Sequence, residues 1–225
     1  MACALVRGLR AKGIDVGVMK PVETGVGEGG PLDALALRAA AGVDDPLDLI
    51  CPLRFALPAA PSVAARAAAV AIDLRVIQDA WTDLCGRHEV IVVEGAGGLL
   101  VPIVEGPRGL DMAGLARALE LPLLLVARAS LGTINHTLLS IELARSRGLD
   151  LAGVVISHSA GEISSPDAAN LEALRTALGE LLRGEIPALP TGEVASLHGS
   201  DIDALFQLES RARKTGRPPT HVSAT

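Results

Sequence analysis

The feature of this chain that most limits its fold is a regular alternation of short apolar runs with segments of helical length. Four runs rich in Val, Ile and Leu are predicted to be buried strands: 14–19, 89–93, 122–126 and 152–157. Strands separated by helices of ten or more residues need crossover connections, and these make neighbouring strands parallel. The alternation therefore predicts an α/β fold with helices on both faces of a parallel sheet.

The remaining predicted elements continue this pattern without an internal repeat or a linker. They are helices over 2–12, from 33, after Ser62, over 73–85, from 111, over 134–147 and over 167–182, and a short last strand over 184–187. Ser62 follows the proline-punctuated segment 55–61 and is expected to cap the helix after it. We predict one domain over residues 1–214 and, because the sequence then turns polar and irregular, a flexible tail over 215–225.

Composition narrows the class of protein. The 225 residues include no Tyr, two Phe and one Trp, so the core must be aliphatic. The formal net charge of −6, from 20 basic and 26 acidic residues, argues against a nucleic-acid-binding protein, which normally carries a basic face. No apolar run approaches the roughly 20 residues that cross a bilayer, and no signal peptide is recognisable. We expect a cytoplasmic protein without a nucleic-acid or membrane partner.

The most informative motif joins a strand to a glycine-rich turn. The run Val92-Val93 leads to Glu94, and Gly95-Ala96-Gly97-Gly98 follows. In open α/β sheets, ligands bind at the carboxyl ends of strands, and glycines let backbone N–H groups approach anionic oxygens closely. A carboxylate beside a phosphate site is most simply explained by Mg²⁺ between them. The motif predicts such a site, and the alternative is an ordinary turn with an exposed Glu.

Two further strand and helix ends carry candidate residues. Lys20 leaves the strand 14–19, where its ammonium group can neutralise charge on a transferring phosphoryl group, and the hydroxyl of Thr24 is a candidate for substrate contact. Asp33 begins a predicted helix and is either a simple N-cap or the second carboxylate of a magnesium site. The helix that starts within 131–136 presents free N–H groups, which favour an anion such as a carboxylate.

Taken in order, these segments resemble the dethiobiotin synthetase family of P-loop α/β proteins. The matching stretches extend from the first residues to about Pro190 and include KPVETG at 20–25, DALA at 33–36, FALPAAP at 55–61, VEGAGG at 93–98, LGTINH at 131–136 and GEIP at 184–187. Each stretch is short, but the ordered set is specific. The resemblance implies a three-layer P-loop NTPase-like fold in a single domain.

The resemblance also implies a reaction. Enzymes of this family are ligases that form carbon–nitrogen bonds in biotin biosynthesis, converting 7,8-diaminopelargonic acid, CO2 and ATP into dethiobiotin, ADP and phosphate with Mg²⁺ as cofactor. One amine becomes a carbamate, the γ-phosphoryl group of ATP activates it, and the second amine closes a cyclic urea. Members of the family are homodimers.

By matching position, the resemblance assigns roles to individual residues. Lys20 is the catalytic residue, which stabilises the carbamate and the transferring phosphoryl group. Asp33 and Glu94 hold Mg²⁺ and approach ATP. The substrate is contacted by Thr24 and, across the dimer interface, by Gly132 and Asn135. The other nucleotide-binding positions are Gly95, Ala96, Gly97, Ser157, His158, Pro187, Ala188 and Leu189.

The chain departs from the family pattern in two places. The family carries a glycine-rich loop of the form GTDTxVGKT directly before its first helix, whereas here residues 2–7 match that helix and Met1 falls inside it. We therefore expect the loop and its strand to be encoded upstream, and the first strand position of the sheet to be open. At Ser157-His158 the family often has an Asn that contacts adenine, which leaves the choice of nucleotide undecided.

Other readings of the same motifs stay open. A non-catalytic or impaired binding homologue would keep the fold without ATP chemistry. A cobyrinic-acid amidotransferase would need a further glutamine-hydrolysing domain, for which the chain is too short. A partitioning ATPase would use a different acidic motif after its second strand, and Lys20-Pro21 together with the Glu94 turn argues against it.

Overall fold

The computed structural model describes residues 1–106, 109–158, 164–188 and 222–224, which form an α/β fold. The strands are β1 (Val16–Met19), β2 (Val22–Thr24), β3 (Leu53–Phe55), β4 (Val90–Glu94), β5 (Pro102–Val104), β6 (Leu110–Asp111), β7 (Leu123–Arg128), β8 (Leu151–Ser157), β9 (Leu182–Ile186) and β10 (Val222–Ala224). The helices are α1 (Ala2–Ala11), α2 (Leu32–Ala41), α3 (Leu47–Ile50), α4 (Pro61–Ala67), α5 (Leu74–Cys85), α6 (Met112–Ala118), α7 (Thr133–Ser146) and α8 (Ser165–Leu178). All four strands predicted as buried runs are present.

The main sheet has six strands in the order β1-β4-β10-β7-β8-β9, and every neighbouring pair is parallel. The prediction of a parallel sheet is therefore confirmed. In the pair β1 and β4, Met19 lies opposite Val93. This register brings the residue after each of them, Lys20 and Glu94, to the same carboxyl edge of the sheet.

One position in the sheet differs from expectation. The first strand position was expected to be open, but β10 lies between β4 and β7 and is hydrogen-bonded to both. A gap there would leave the backbone N–H and C=O groups of two central strands unpaired, and a strand in the gap satisfies them. Of the predicted tail over 215–225, residues 222–224 form this strand and the others lie outside the described residues.

Both faces of the sheet are covered along β1, β4, β7 and β8, which explains why these four strands are largely apolar. On one face, Val18 and Val92 pack with α1 and α2 in the first core cluster. On the other face, Met19 and Val93 pack with α5 and α6 in the second cluster, and the half-buried Trp81 of α5 covers its edge. A third cluster joins β7 and β8 to α7 and α8. Helices on both faces of the sheet confirm the predicted layers.

Two local expectations need correction. Ser62 does not cap the helix that follows the proline-rich segment, because α4 begins one residue earlier, at Pro61. Proline fits the first position of a helix, since its missing N–H is not needed there. The Ser62 hydroxyl instead donates to Glu105 Oε1 at 3.1 Å. The sequence also gave no sign of the small parallel sheet made by β2 and β3, whose strands have three residues each.

No helix within the described ranges combines the length and the apolar character needed to cross a bilayer.

Candidate active site at the carboxyl edge of the sheet

Lys20 is placed by the strand it follows. Met19, the last residue of β1, is fully buried, and the backbone N–H of Lys20 donates to Ile50 O at 2.7 Å. The side chain of Lys20 is only 6% exposed. A buried lysine ammonium group needs partners for its charge, so the contacts of this side chain define the site.

Three oxygen atoms surround the Lys20 ammonium group. Its Nζ lies 2.7 Å from Glu94 Oε1, 2.9 Å from Asp33 Oδ2 and 3.2 Å from the carbonyl oxygen of Gly95. The three residues come from β4, the first turn of α2 and the glycine turn after β4. The structure therefore brings Lys20 together with Glu94, with which it was predicted to share a sheet edge, and with Asp33, which the sequence left as either an N-cap or a magnesium ligand.

The surroundings of Lys20 keep it protonated. Burial lowers the pKa of the ammonium group, but the charge and hydrogen bond of Glu94, and then those of Asp33, outweigh burial and raise the pKa above its ordinary value of 10.5. Lys20 is therefore a cation at neutral pH. It is suited to stabilising negative charge rather than to accepting a proton.

The glycine turn after β4 separates two cavities. Gly97 has φ +80°, and a β-carbon there would lie 3.0 Å from Val101 Cγ2, so the turn requires glycine. On one side, a cavity of about 630 Å³ is lined by Glu94, Gly95 and Gly97 together with the start of α1. On the other side, a cavity of about 430 Å³ is lined by residues that include Lys20, Thr24, Asp33, Ala96 and Gly97. Lys20, Asp33 and Glu94 thus meet residues 95–97 at this turn, whereas those predicted adenine-contacting residues that the structure describes line neither cavity.

Asp33 and Glu94 form a pair of oxygen ligands that fits Mg²⁺. Both carboxylates reach the same Lys20 Nζ within 3 Å, so they are able to converge on one cation. Mg²⁺ prefers carboxylate oxygens and is commonly held by one or two of them, with phosphate oxygens and water completing its shell. No group of three or more His, Cys, Asp or Glu side chains poised for a metal occurs among the described residues. Two carboxylates are fewer ligands than Mg²⁺ takes, so a Mg²⁺ ion held by this pair would draw its other ligands from phosphate and water.

The predicted substrate residues Gly132 and Asn135 lie apart from Thr24. Gly132, with φ +87°, precedes α7, and it lines with Asn135 a third cavity of about 470 Å³. Large apolar side chains stand exposed around it, namely Leu131 at 77% and Leu139 at 60%. Within one chain, the structure does not bring these residues and Thr24 into one cavity.

The predicted adenine-contacting residues lie at the ends of β8 and β9. Ser157 is the last residue of β8, and His158 Nε2 lies 2.7 Å from Glu185 Oε2. Hydrogen bonds from Arg175, and from His158, lower the pKa of Glu185 against its partial burial. Neither Ser157 nor His158 lines the cavity beside Glu94. Pro187 and Ala188 are exposed after β9, and Leu189 lies outside the described residues.

Two charged residues near the site were missed by sequence reasoning. Glu23 is buried in β2, and Arg128 at the end of β7 lines the same cavity as Glu94. The sequence feature that could have indicated Glu23 is a carboxylate that follows the apolar Val22, three residues after Lys20. Arg128 had a similar signal, since it ends an apolar strand at the edge where ligands bind.

Comparison with known proteins places this chain in a family. A family model described as an AAA domain matches residues 1–194. An ATP-dependent dethiobiotin synthetase of Anaeromyxobacter dehalogenans strain 2CP-C is 49% identical over 162 residues, which cover 72% of this chain and 71% of that protein. The synthetase of Anaeromyxobacter sp. strain Fw109-5 is 47% identical over 159 residues, covering 71% and 70%.

A more distant relative gives the same result. The ATP-dependent dethiobiotin synthetase of Thermodesulfovibrio yellowstonii is 37% identical over 164 residues, covering 69% of this chain and 68% of that protein. The ordered motifs, the parallel sheet and these relatives agree, and the chain belongs to the ATP-dependent dethiobiotin synthetase family.

Proposed function

We propose that this chain is an ATP-dependent dethiobiotin synthetase, a ligase that forms the cyclic urea of dethiobiotin from 7,8-diaminopelargonic acid, CO2 and ATP in biotin biosynthesis. The observation that carries the proposal is the Lys20 ammonium group, which is buried, protonated and held by Glu94 and Asp33 beside a glycine turn. Such a fixed cation, next to backbone N–H groups, suits a reaction in which negative charge moves between phosphate and carboxylate oxygens.

The chemistry can be written for the residues present. A carbamate forms when one substrate amine adds to CO2 and loses a proton. A carbamate oxygen then attacks the γ-phosphorus of ATP, and the bond from that phosphorus to ADP breaks. The second amine attacks the carbamoyl carbon, phosphate leaves, and a proton is released. Lys20 stabilises the negative charge on the carbamate and on the transferring phosphoryl group, and Thr24 contacts the substrate across the cavity that both residues line.

Mg²⁺ is the proposed cofactor, held by Asp33 and Glu94. When bound with ATP, it neutralises charge on the phosphate oxygens. Gly95, Ala96 and Gly97 line the nucleotide site in this proposal. Because these residues are small, the turn leaves room for the phosphate groups. Ser157, His158, Pro187, Ala188 and Leu189 are proposed to contact the base.

The proposed assembly is a cytoplasmic homodimer in which the substrate lies across the interface. Exposed Leu131 and Leu139 beside the start of α7 support this, since apolar side chains of this size favour a covered surface. In the dimer, Gly132 and Asn135 of one protomer would receive the substrate carboxylate next to the Thr24 cavity of the other. The start of α7 has no side-chain cap, and although the N–H of Thr133 is bonded to Ser130 O, the N–H groups of Ile134 and Asn135 that follow suit that anion.

The test is a direct assay of the purified chain. With 7,8-diaminopelargonic acid, bicarbonate, Mg²⁺ and ATP, we expect one ADP for each dethiobiotin, measured by a coupled ADP assay and by mass spectrometry. Glu94→Gln should lower this turnover by roughly 100-fold, because it removes one negative charge from the Lys20 and Mg²⁺ site. Binding of the diamine by calorimetry without any ADP release would contradict the proposal and would favour a non-catalytic binding homologue.

A further inference from the structure

The start of α2 has no capping side chain of its own, yet its first amides are hydrogen-bonded. Its N-cap residue, Pro31, makes no side-chain cap. The backbone N–H groups of Asp33 and Ala34 donate instead to Oε1 and Oε2 of Glu23, each at 3.0 Å. These are the second and third helical positions, which an N-cap Ser or Asp normally satisfies. A side chain from another strand thus performs the capping.

Glu23 is itself fixed in place close to the lysine. It is the central residue of β2, lies opposite Arg54 of β3, and is 6% exposed. Only Pro21 and Val22 separate it from Lys20 in the sequence. Because both of its oxygens are engaged, α2 cannot slide or rotate against β2 without breaking a buried charge-assisted hydrogen bond.

The position of the Asp33 carboxylate follows from this capping. Asp33 is in the first turn of α2, its own N–H is one of the two capped donors, and its carboxylate reaches Lys20 Nζ at 2.9 Å. The side chain of Asp33 is more than half exposed, so packing alone does not fix it. Glu23 therefore holds the backbone of Asp33, and Lys20 holds its side chain.

We propose that Glu23 is a positioning residue of the active site, which holds Asp33 against Lys20 by capping α2 with both carboxylate oxygens. The effect of Glu23 on turnover rests on the proposed function, whereas the contacts by which it caps α2 do not depend on that function. Glu23 also lines the cavity that Lys20, Thr24 and Asp33 share. The role predicts that loss of Glu23 uncouples Lys20 from Asp33 even in a chain that stays folded.

The uncoupling is measurable without turnover. Urea unfolding of Lys20→Met, Asp33→Asn and the double variant gives the coupling between the two residues. We expect this coupling to fall by roughly half or more when the same cycle is built on Glu23→Gln, which keeps the size of the side chain but replaces one acceptor by a donor. An unchanged coupling in that background would overturn the proposal.

A matched control separates positioning from stability. Asp111 caps α6 through Gly114 N at 2.8 Å, and it lies outside the proposed site. Asp111→Asn weakens the ion pair that Asp111 also makes with Arg147, at 2.7 Å, so it should lower stability while leaving the coupling between Lys20 and Asp33 unchanged. If it reduces the coupling as much as Glu23→Gln does, general loosening explains both results and the proposal fails.

A second variant tests whether capping alone is sufficient. Pro31→Ser supplies a local N-cap to α2 without restoring its tie to β2. Added to Glu23→Gln, it should recover stability but leave the coupling low. Full recovery of the coupling would reduce Glu23 to an ordinary cap and would overturn its positioning role.

Turnover supplies an independent readout. If the chain makes dethiobiotin, Glu23→Gln should lower kcat by about tenfold, and the loss should shrink to within about twofold when Asp33 is already Asn, because the two residues act together. A loss of the same size in both backgrounds would contradict action through Asp33. Absence of turnover in the unmodified chain would contradict the proposed function only, since the unfolding cycle still decides the role of Glu23.

Discussion

Two clusters of similar composition lie at opposite ends of the strand pair β1 and β4. At the carboxyl end, Lys20 lies between Asp33 and Glu94. At the amino end, His88 lies between two carboxylates, with Nδ1 2.9 Å from Asp15 Oδ1 and Nε2 2.7 Å from Asp45 Oδ2. Each cluster ties neighbouring strands together through one basic side chain.

The difference between the clusters is in what surrounds them. Lys20 faces a cavity beside a glycine turn, so part of its charge is available to a ligand. His88 uses both ring nitrogens on the two carboxylates, and Arg87 lies 3.5 Å from Asp45 as well. A β-carbon at Gly17 would collide with the His88 ring, so this end is closely packed. Similar ion pairs therefore serve a candidate catalytic site at one end and hold the fold together at the other.

The largest expected effect comes from removing the two basic groups in turn. Lys20→Met should lower kcat/KM for dethiobiotin formation by about 100-fold or more, because it removes the fixed cation that we propose to stabilise the transferring phosphoryl group. His88→Gln should change kcat/KM by no more than about twofold, since its cluster lies at the far end of the strands. Steady-state kinetics checks both values, and a comparable loss in both variants would break the comparison.

Overpacking should reveal how closely the amino-end cluster is packed. In Gly17→Ala the new β-carbon meets the His88 ring and lies 2.7 Å from Ile91 Cδ1, so we expect a loss of about 1–3 kcal/mol in the free energy of unfolding. Gly86→Ala is the control, because its φ of −75° suits alanine and a β-carbon there would make only ordinary contacts, the nearest at 3.4 Å from Asp83 O. Urea unfolding followed by circular dichroism measures both variants. Equal free energies of unfolding for the two would show that the side chains around Gly17 move aside at little cost.

The two clusters should also differ in their response to pH. Burial lowers the pKa of His88, but hydrogen bonds and charges from Asp15 and Asp45 outweigh it and raise the pKa above its ordinary value of 6.5. The stability that this adds is fully present below the unfolded pKa and is lost as pH rises through the folded pKa. The difference in unfolding free energy between the unmodified chain and His88→Gln, about 1 kcal/mol, should shrink above pH 6.5.

Lys20 gives the contrasting result over the same range. Its pKa is raised from 10.5, so the stability it contributes is lost only as pH rises through a still higher folded value. The difference between the unmodified chain and Lys20→Met should therefore stay constant from pH 6 to about pH 9. A slope near neutral pH in the Lys20 series would contradict the assignment of a permanently charged ammonium group.

The smallest effect should come from the exposed carboxylate of the amino-end cluster. The Asp15 side chain is 56% exposed, whereas that of Asp45 is 6% exposed. Asp15→Asn should lower the free energy of unfolding by about 0.5 kcal/mol or less, because solvent screens the exposed pair. Asp45→Asn should cost more, since a buried partner is lost. Urea unfolding of the two variants decides this, and the reverse order would contradict the difference in burial.

The contacts of the site that could be predicted from the sequence are those that follow from the order of strands and helices. Lys20 and Glu94 end apolar strands, and strand ends of a parallel sheet share an edge, so their contact followed from the order of elements. Asp33 was left as either a cap or a ligand, and the structure explains why both fitted. It sits in the first helical turn, but a different side chain caps that helix.

The part that the sequence did not predict depends on contacts between distant residues. Glu23 caps α2 from a three-residue strand, and such a short strand has too few residues for a pattern of alternation. The cluster around His88 joins residues 15, 45 and 88, and no local spacing indicates it. Ser62 and Asp73, which lie at the starts of α4 and α5, illustrate the same contrast. Asp73 accepts from Arg75 N as a local cap, whereas Ser62 bonds to Glu105 instead.

The single tryptophan has a practical consequence for studying this chain. Trp81 lies on α5 and packs against the core cluster that contains Met19 and Val93. With no Tyr in the sequence, intrinsic fluorescence comes from this one indole. Its emission therefore reports on the packing of α5 against the sheet, and quenching by acrylamide would reveal local opening of that face before the chain unfolds as a whole.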